Sequence, residues 1–239
     1  EFESSIFPRG FEFLKEFSVS PFPKFVYVVG KVTIQKCVFM PHERNCVVTI
    51  YNVSNRSNLD LKMRVFPLIN WRHFHFVTER NKSSEPRQEQ RGNAVEIVCQ
   101  TPPATLLMKT TDWRYSATGK WVERLYLREE AHRGESCFDD CYQPGHFETS
   151  VRPGENRDSA MVAVADEERD LALTALNEVP DGVSGTLALY RREMERHQGF
   201  IDGFHRSHPT IRAIDWLGWL ILATSSFVVR GANDASKSV

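Results

Sequence analysis

The hydrophobic period of this chain changes once. From Phe11 to Val164 apolar and polar residues mostly alternate in short runs broken by Pro, Gly, Asn and Ser, a period of two that predicts strands with one buried face. Leu59, Leu61, Met63 and Val65 set against Asp60, Lys62 and Arg64 give the cleanest alternation, with the aliphatic side chains on one face of a sheet and the charges in water. Val32 to Cys37 alternates less cleanly. Asn45 to Val53, Ala94 to Cys99, Thr105 to Lys109, Phe147 to Val151 and Ala160 to Val164 predict further strands. Many short strands with turn signals between them argue for a sandwich or barrel over a parallel α/β sheet. Glu79 to Gly92 is charged and lacks an apolar period, so it reads as a long exposed loop.

After Ala165 the period becomes helical. Asp166, Glu167 and Glu168 place negative charge where a helix N-terminus prefers it, Pro180-Asp181-Gly182 stops that helix, and Ser184 is expected to cap the next. In the second helix Leu187, Tyr190, Met194, His197, Ile201 and Phe204 recur at steps of three and four and form one apolar stripe, on which His197 reads as a packing residue. A third helix is expected after Ser207, with Pro209 in its first turn, running through Trp216 and Trp219 to Phe227. Trp216 to Val229 is the longest uncharged stretch of the chain, short of the ~20 apolar residues that a bilayer span needs. The expected fold is mainly β with an α-helical C-terminal tail. An antiparallel β-sandwich would occupy residues 1–165, linker helices 166–206, and the start of a separate helical domain 207–239. The chain opens on Glu1-Phe2-Glu3 without an initiator Met and stops after an apolar helix, so a sandwich incomplete at its start and a truncated helical domain are expected.

Composition narrows the partner. With 239 residues, 41% hydrophobic and 26% charged, the chain has globular proportions, and its formal charge of -1 offers no basic field for nucleic acid or an anionic membrane. Aromatic residues, 16 Phe among them, are crowded into the first two thirds, as a Phe-rich β core or a set of sugar platforms would require. Among the five Cys, Cys37, Cys46 and Cys99 fall in strand-like runs, while Cys137 and Cys141 form a CxxxC without a second pair. Reduced thiols, a cytoplasmic location and no metal or cofactor follow as expectations.

Three stretches carry possible chemistry. In Asn70-Trp71-Arg72-His73-Phe74-His75-Phe76, read as strand, His73 and His75 share a face, and Glu79 completes a spacing that resembles a cupin metal site without its glycines. Tyr126 to Gly134, with Glu130 and Arg133, and Asp139 to Phe147, with Asp140 and Tyr142, are dense in carboxylates, guanidinium groups and aromatics. Such a mixture binds sugar hydroxyls or forms an ion-paired loop. Asp112-Trp113-Arg114-Tyr115, near Trp121, reads as an exposed aromatic group. Asp139 and Asp140 are adjacent and would face opposite sides of a strand, so they do not flank one bond as acid and base. No GxGxxG, GxxxxGK[ST] or GxSxG is present.

Ser5-Ile6-Phe7-Pro8-Arg9-Gly10, Leu14-Lys15-Glu16-Phe17, Pro21-Phe22-Pro23, Phe39-Met40-Pro41-His42, Trp71-Arg72-His73-Phe74-His75, Glu130-Ala131-His132-Arg133-Gly134 and Asp140-Cys141-Tyr142-Gln143-Pro144-Gly145-His146-Phe147 together resemble the N-terminal domain of bacterial and archaeal-type glycogen debranching enzymes, the amylo-α-1,6-glucosidases. Ala223 to Gly231 resembles the opening of that family's catalytic (α/α)6 barrel. The resemblance implies a β-sandwich of supersandwich type and a glycoside hydrolase acting on α-1,6 branch points of glycogen or limit dextrin. Its catalytic carboxylates would lie in the barrel beyond Val239. It also implies that glycogen or a related α-glucan and the chain's own catalytic domain are the partners. Trp71, Arg72, His73, His75, Glu130, Arg133, Asp140 and Tyr142 are then expected at the substrate cleft or the domain interface. The alternatives are a stand-alone carbohydrate-binding sandwich and a cupin-like metal-binding protein.

Overall fold

The computed structural model describes residues 1–73, 75–212 and 214–224. Contacts divide the chain into one unit over Glu1–Leu187 and a second over Ala188–Val239.

Among its described residues the first unit holds eleven strands in chain order: β1 (Leu14–Val19), β2 (Pro23–Val29), β3 (Val32–Phe39), β4 (Cys46–Asn55), β5 (Leu61–Val65), β6 (Arg87–Arg91), β7 (Ala94–Gln100), β8 (Pro103–Thr110), β9 (Arg114–Tyr126), β10 (Phe138–Val151) and β11 (Asn156–Asp166). Helix α1 (Arg128–His132) joins β9 to β10, α2 (Arg169–Asn177) follows β11, and α3 (Gly182–Ser207) begins in this unit. An eight-stranded sheet in the order β1-β2-β3-β4-β11-β8-β7-β6 faces a three-stranded sheet in the order β5-β10-β9. Every pairing is antiparallel.

Alternation decides which face is buried. Tyr51, Val95, Ile97, Cys99, Met108 and Met161 point from the large sheet into one core with Trp113, Tyr115 and Phe147, and Met63 and Val65 of β5 pack against it as the Leu59–Val65 pattern requires. On the large sheet's other face α2 lies against β11 and β8, burying Ala172 and Leu176. There Glu96 of β7 is buried and paired with Arg169 of α2 and Arg91 of β6. The side-chain hydrogen bond from Arg169 holds the Glu96 carboxyl below the ordinary carboxylate range, against the opposing pull of burial.

Several expectations change. Glu79 to Gly92 is not one loop: a 3-10 turn spans Arg80–Lys82, and β6 pairs with β7 as the last strand of the large sheet. An edge strand with mostly solvated side chains needs no apolar alternation, so periodicity misses it. Trp113 and Tyr115 are buried in the core and are not an exposed group, being 8% and 9% accessible. Ser184 lies inside α3, which starts at Gly182, and does not cap it. Pro209 precedes α4 (Asp215–Thr224) by a full turn-rich segment and is not in its first turn.

In the second unit, Leu189 and Glu193 are the buried positions of α3, and Glu193 holds Arg196. The predicted stripe through Met194, His197 and Ile201 is half-buried. Helix α4 approaches α3 where Gly218 lies beside Ile201. Leu217 and Ile221 are buried, while Trp216, Trp219 and Leu220 are exposed, as an apolar helix without full cover must leave them. Phe74, the predicted helix end at Phe227, and 225–231 of the barrel-like stretch lie outside the described residues.

Candidate ligand groove on the small sheet

The site is built on β10. Along one side it pairs with β9 from Phe138 to Glu148, and along the other with β5 from Phe147 to Val151. Past the end of β5 its free side is taken up by the segment that follows. Ile69 and Tyr142 exchange backbone hydrogen bonds of 2.9 and 3.0 Å, and the Asp140 N–H donates to the Thr78 carbonyl at 3.0 Å. Residues 69–78 therefore form a loop hung by both ends on one strand.

Two adjacent carboxylates fix its shape, one from each face of the strand. Asp139, 5% accessible, accepts from the Thr78 N–H at 2.7 Å, Asn70 Nδ2 at 3.2 Å and the Arg72 guanidinium at 2.8 Å. Asp140 accepts from the Arg80 N–H and the Arg124 N–H, each at 2.8 Å. Asn70 is also gripped by its neighbours: its amide donates to the Asp140 carbonyl at 2.9 Å and its Oδ1 accepts from Cys141 Sγ at 3.0 Å. Burial pushes the Cys141 thiol above its ordinary pKa, so it stays a thiol.

Strand β9 is longer than the β10 segment that it pairs, and the excess is released at two β-bulges. Gln143 faces Lys120 while Gly145 faces Ala117, and Asp139 faces Leu125 while Cys141 faces Val122. Each bulge has one residue in the left-handed region, Gly119 at φ 59° and Arg124 at φ 59°. At the first, Gly145 has no room for a side chain: a Cβ would stand 2.2 Å from the Ser116 carbonyl oxygen and 2.9 Å from the Tyr115 ring. Tyr115 passes over it to donate to Gln88 Oε1 at 2.6 Å. Burial raises the Tyr115 hydroxyl to about 12, so it remains a donor.

Two cavities open beside the hung loop. One, about 510 Å³, is lined by Arg72, His75, Phe76, Glu130, Arg133 and Glu135 among others; the next, about 690 Å³, by Thr78, Arg80, Glu123, Arg124, Phe138 and Asp140 among others. Val77 and Glu135 line both, so they adjoin as one groove. Four of the predicted site residues, Arg72, His75, Glu130 and Arg133, thus meet in one cavity, and Asp140 belongs to its neighbour. His73 stands outside both. Its ring lies 5.3 Å from that of His75 and 5.5 Å from Phe76. Trp71 and Tyr142 line neither cavity, and they pack with Trp121 in an aromatic cluster at centroid distances of 5.4 to 6.3 Å. The segment is not a strand at His73, whose Nδ1 accepts the His75 N–H at 3.3 Å. Among the described residues no three His, Cys, Asp or Glu side chains converge, so the cupin-like spacing gathers no ligand set. Sequence reasoning missed Arg124 and Phe138 and did not place Asp139 among the site residues. Asp139 was visible only as the neighbour of Asp140, and nothing in the local sequence marks Arg124 as a bulge residue.

The groove's charges are already paired in part. Arg72 is held by Asp139, Arg80 by Glu123 at 2.5 Å, Arg133 by Glu130 at 3.1 Å, and Lys82 by Glu79 at 2.7 Å. Paired guanidinium and carboxylate groups beside Phe76, 66% exposed, offer fixed donors, fixed acceptors and an apolar face, the requirements of an uncharged polyhydroxyl ligand.

The profile of the family described as glycogen debranching enzyme N terminal matches residues 1–157. The chain belongs to that family, and its sandwich is a glycoside hydrolase-related N-terminal domain. No curated protein sequence matches it. Among solved structures it is similar to a bacterial glucoamylase complexed with acarbose (12% identity, 78% of this chain and 28% of that one, TM-score 0.43). It is also similar to the polysaccharide lyase BACCELL_00875 (14%, 69% and 24%, 0.42) and the heparan sulfate lyase HepC from Pedobacter heparinus (10%, 65% and 22%, 0.41). The chain spans about a quarter of the length of these proteins.

Proposed function

We propose that this chain is the non-catalytic N-terminal part of a cytoplasmic glycogen debranching enzyme, an amylo-α-1,6-glucosidase that hydrolyses branch points in glycogen or limit dextrin. The observation that carries the reading is the family match over residues 1–157, which takes in both cavities and every residue of the hung loop. The formal charge of -1 suits an uncharged polymer as partner. No described helix is long and apolar enough to cross a membrane.

Glycoside hydrolysis uses two carboxyl groups, one protonating the leaving oxygen and one acting from the other face of the sugar. Asp139 and Asp140 do not fill these roles, because Asp139 already accepts hydrogen bonds from the loop and Asp140 from the Arg80 and Arg124 N–H groups, and they address opposite faces of β10. The acid and base therefore come from the enzyme's helical domain, and this chain alone is inactive. Its part is to hold the 69–80 loop and α1 at the border of the substrate cleft, where Arg72, His75, Glu130 and Arg133 meet glucan hydroxyls and Trp71, His73, Asp140 and Tyr142 keep them placed.

The test is glucose release from limit dextrin by the full-length protein that carries this chain. Arg72→Ala and His75→Ala are expected to lower kcat/KM about tenfold or more, the cost of a hydrogen bond from a charged or polar group to substrate; His75→Ala leaves the urea unfolding midpoint unchanged, whereas Arg72→Ala lowers it by leaving the buried Asp139 carboxylate without its cation. Unchanged hydrolysis in both folded variants would remove the cleft role, and absence of any α-1,6 hydrolysis in the parent would remove the debranching role.

A further inference from the structure

Arg124 occupies a left-handed backbone position that, among the described residues, the fold gives to glycine six times and to one other non-glycine residue, Glu43. Five residues earlier on the same strand, the other bulge places Gly119 at the same φ, where a residue without Cβ meets no steric penalty. A side chain in the left-handed region costs about 1 kcal/mol, so the bulge itself would be better served by glycine. Arg124 is held there from two sides. Asp140 Oδ1 takes its N–H at 2.8 Å, and its guanidinium lies over the Phe138 ring, 4.0 Å from the centroid. Tyr126 backs Phe138 at 5.6 Å.

The other arginines of the groove, Arg72, Arg80 and Arg133, are each engaged by a carboxylate. Among the described residues Arg124 forms no ion pair, although Glu123, Glu135 and Asp140 line the same cavity. Its fork of N–H donors is exposed, planar, and set against an aromatic face. Acidic residues outnumber basic ones around it, which disfavours an anion. Glu123 is paired with Arg80, Glu79 with Lys82, and Asp140 already accepts two N–H groups, which leaves Glu135 as the one lining carboxylate outside these pairings among the described residues and disfavours a cation. What remains is a neutral ligand with adjacent hydroxyls and an apolar ring face.

We infer that the 690 Å³ cavity around Arg124 is a binding subsite for a linear α-glucan segment, with Arg124 as its specificity-determining donor and Asp140 as the residue that positions it. Arg124 donates its planar fork to neighbouring hydroxyls of one glucosyl unit, while Glu123 and Glu135 accept from others. The inference rests on the reading of the substrate as a glucan, but it assigns a separate set of contacts.

The experiment titrates the 239-residue chain with maltoheptaose by calorimetry, with cellohexaose as the β-linked control. Arg124→Gly keeps the bulge, relieves the left-handed strain and removes the donors. It is expected to weaken maltoheptaose binding about tenfold or more while the urea midpoint stays equal or rises. Arg124→Lys keeps the charge without the fork and is expected to bind more weakly than the parent. Equal maltoheptaose affinity in the parent and Arg124→Gly overturns the inference, as does a parent that binds no maltoheptaose or prefers cellohexaose. Limit-dextrin hydrolysis by the full-length protein judges the debranching role separately. Arg124-dependent binding without hydrolysis would uphold the subsite and remove that role, and hydrolysis without Arg124-dependent binding would do the reverse.

Discussion

The two bulges of β9 share a strand, a partner and a backbone angle, yet the chain fills them differently. At Gly119 the position is shaped by what surrounds it: a Cβ would stand 3.3 Å from the Tyr142 hydroxyl and 3.6 Å from Gln88 Nε2. Across the strand pair Gly145 lets the Tyr115 ring cross the backbone. This bulge serves packing between the sheets. At Arg124 the side chain is exposed, a neighbouring carboxylate secures the backbone, and the guanidinium is laid on an aromatic ring at a cavity. One bulge closes the core and the other presents a side chain, so identical backbone geometry does not imply identical purpose.

The largest effect on the packing side is expected from Gly145→Ala. With a backbone oxygen 2.2 Å from the new Cβ, relief requires β9 and β10 to separate, at a cost of about 3 kcal/mol; the urea midpoint measures it, and a parent-like midpoint would show that the bulge yields. Gly119→Ala comes next. It meets the left-handed penalty and the Tyr142 hydroxyl together, and should lose about 1–2 kcal/mol. Arg124→Gly reverses the sign, gaining up to about 1 kcal/mol by the same term. Had Arg124 been placed for packing, that substitution would destabilise instead.

The smallest expected effect lies outside the comparison and calibrates it. Because Glu96 titrates lower in the fold than its ordinary value of about 4.3, its contribution to stability is full above that value and is lost as pH falls through the lower folded one. Arg169→Met removes the main cause of the shift. The variant's urea midpoint should then depend less steeply on pH between 5 and the acid limit than the parent's, and an equal slope would assign the acid sensitivity elsewhere.

The contrast also separates what was legible in the sequence. Leu59 to Val65 announces its strand because one face is apolar and the other charged, and the break after Ala165 announces the helices. β6 gives no such sign, since its side chains are mostly solvated and only backbone pairing with β7 makes it a strand. The loop residues Arg72 and His75 could be chosen from local density of polar and aromatic groups. The partner that fixes Arg72, Asp139, stands 67 positions away, and only the hanging of 69–78 on β10 brings them together. Trp113 and Tyr115 mislead because charged neighbours surround them in sequence, while in space they complete the core. Arg124 gives no local warning at all. A bulge arises from the mismatch of two strands, and without glycine the mismatch leaves no mark on the chain.

The account therefore turns on Arg124 as a presented side chain, and the most direct measurement takes two readings from one preparation of Arg124→Gly: its urea midpoint and its maltoheptaose affinity. A midpoint equal to or above the parent's together with affinity lowered about tenfold or more is the predicted result. A lowered midpoint with parent-like affinity would show that Arg124 holds the strand, as Gly119 and Gly145 do, and contradict the account.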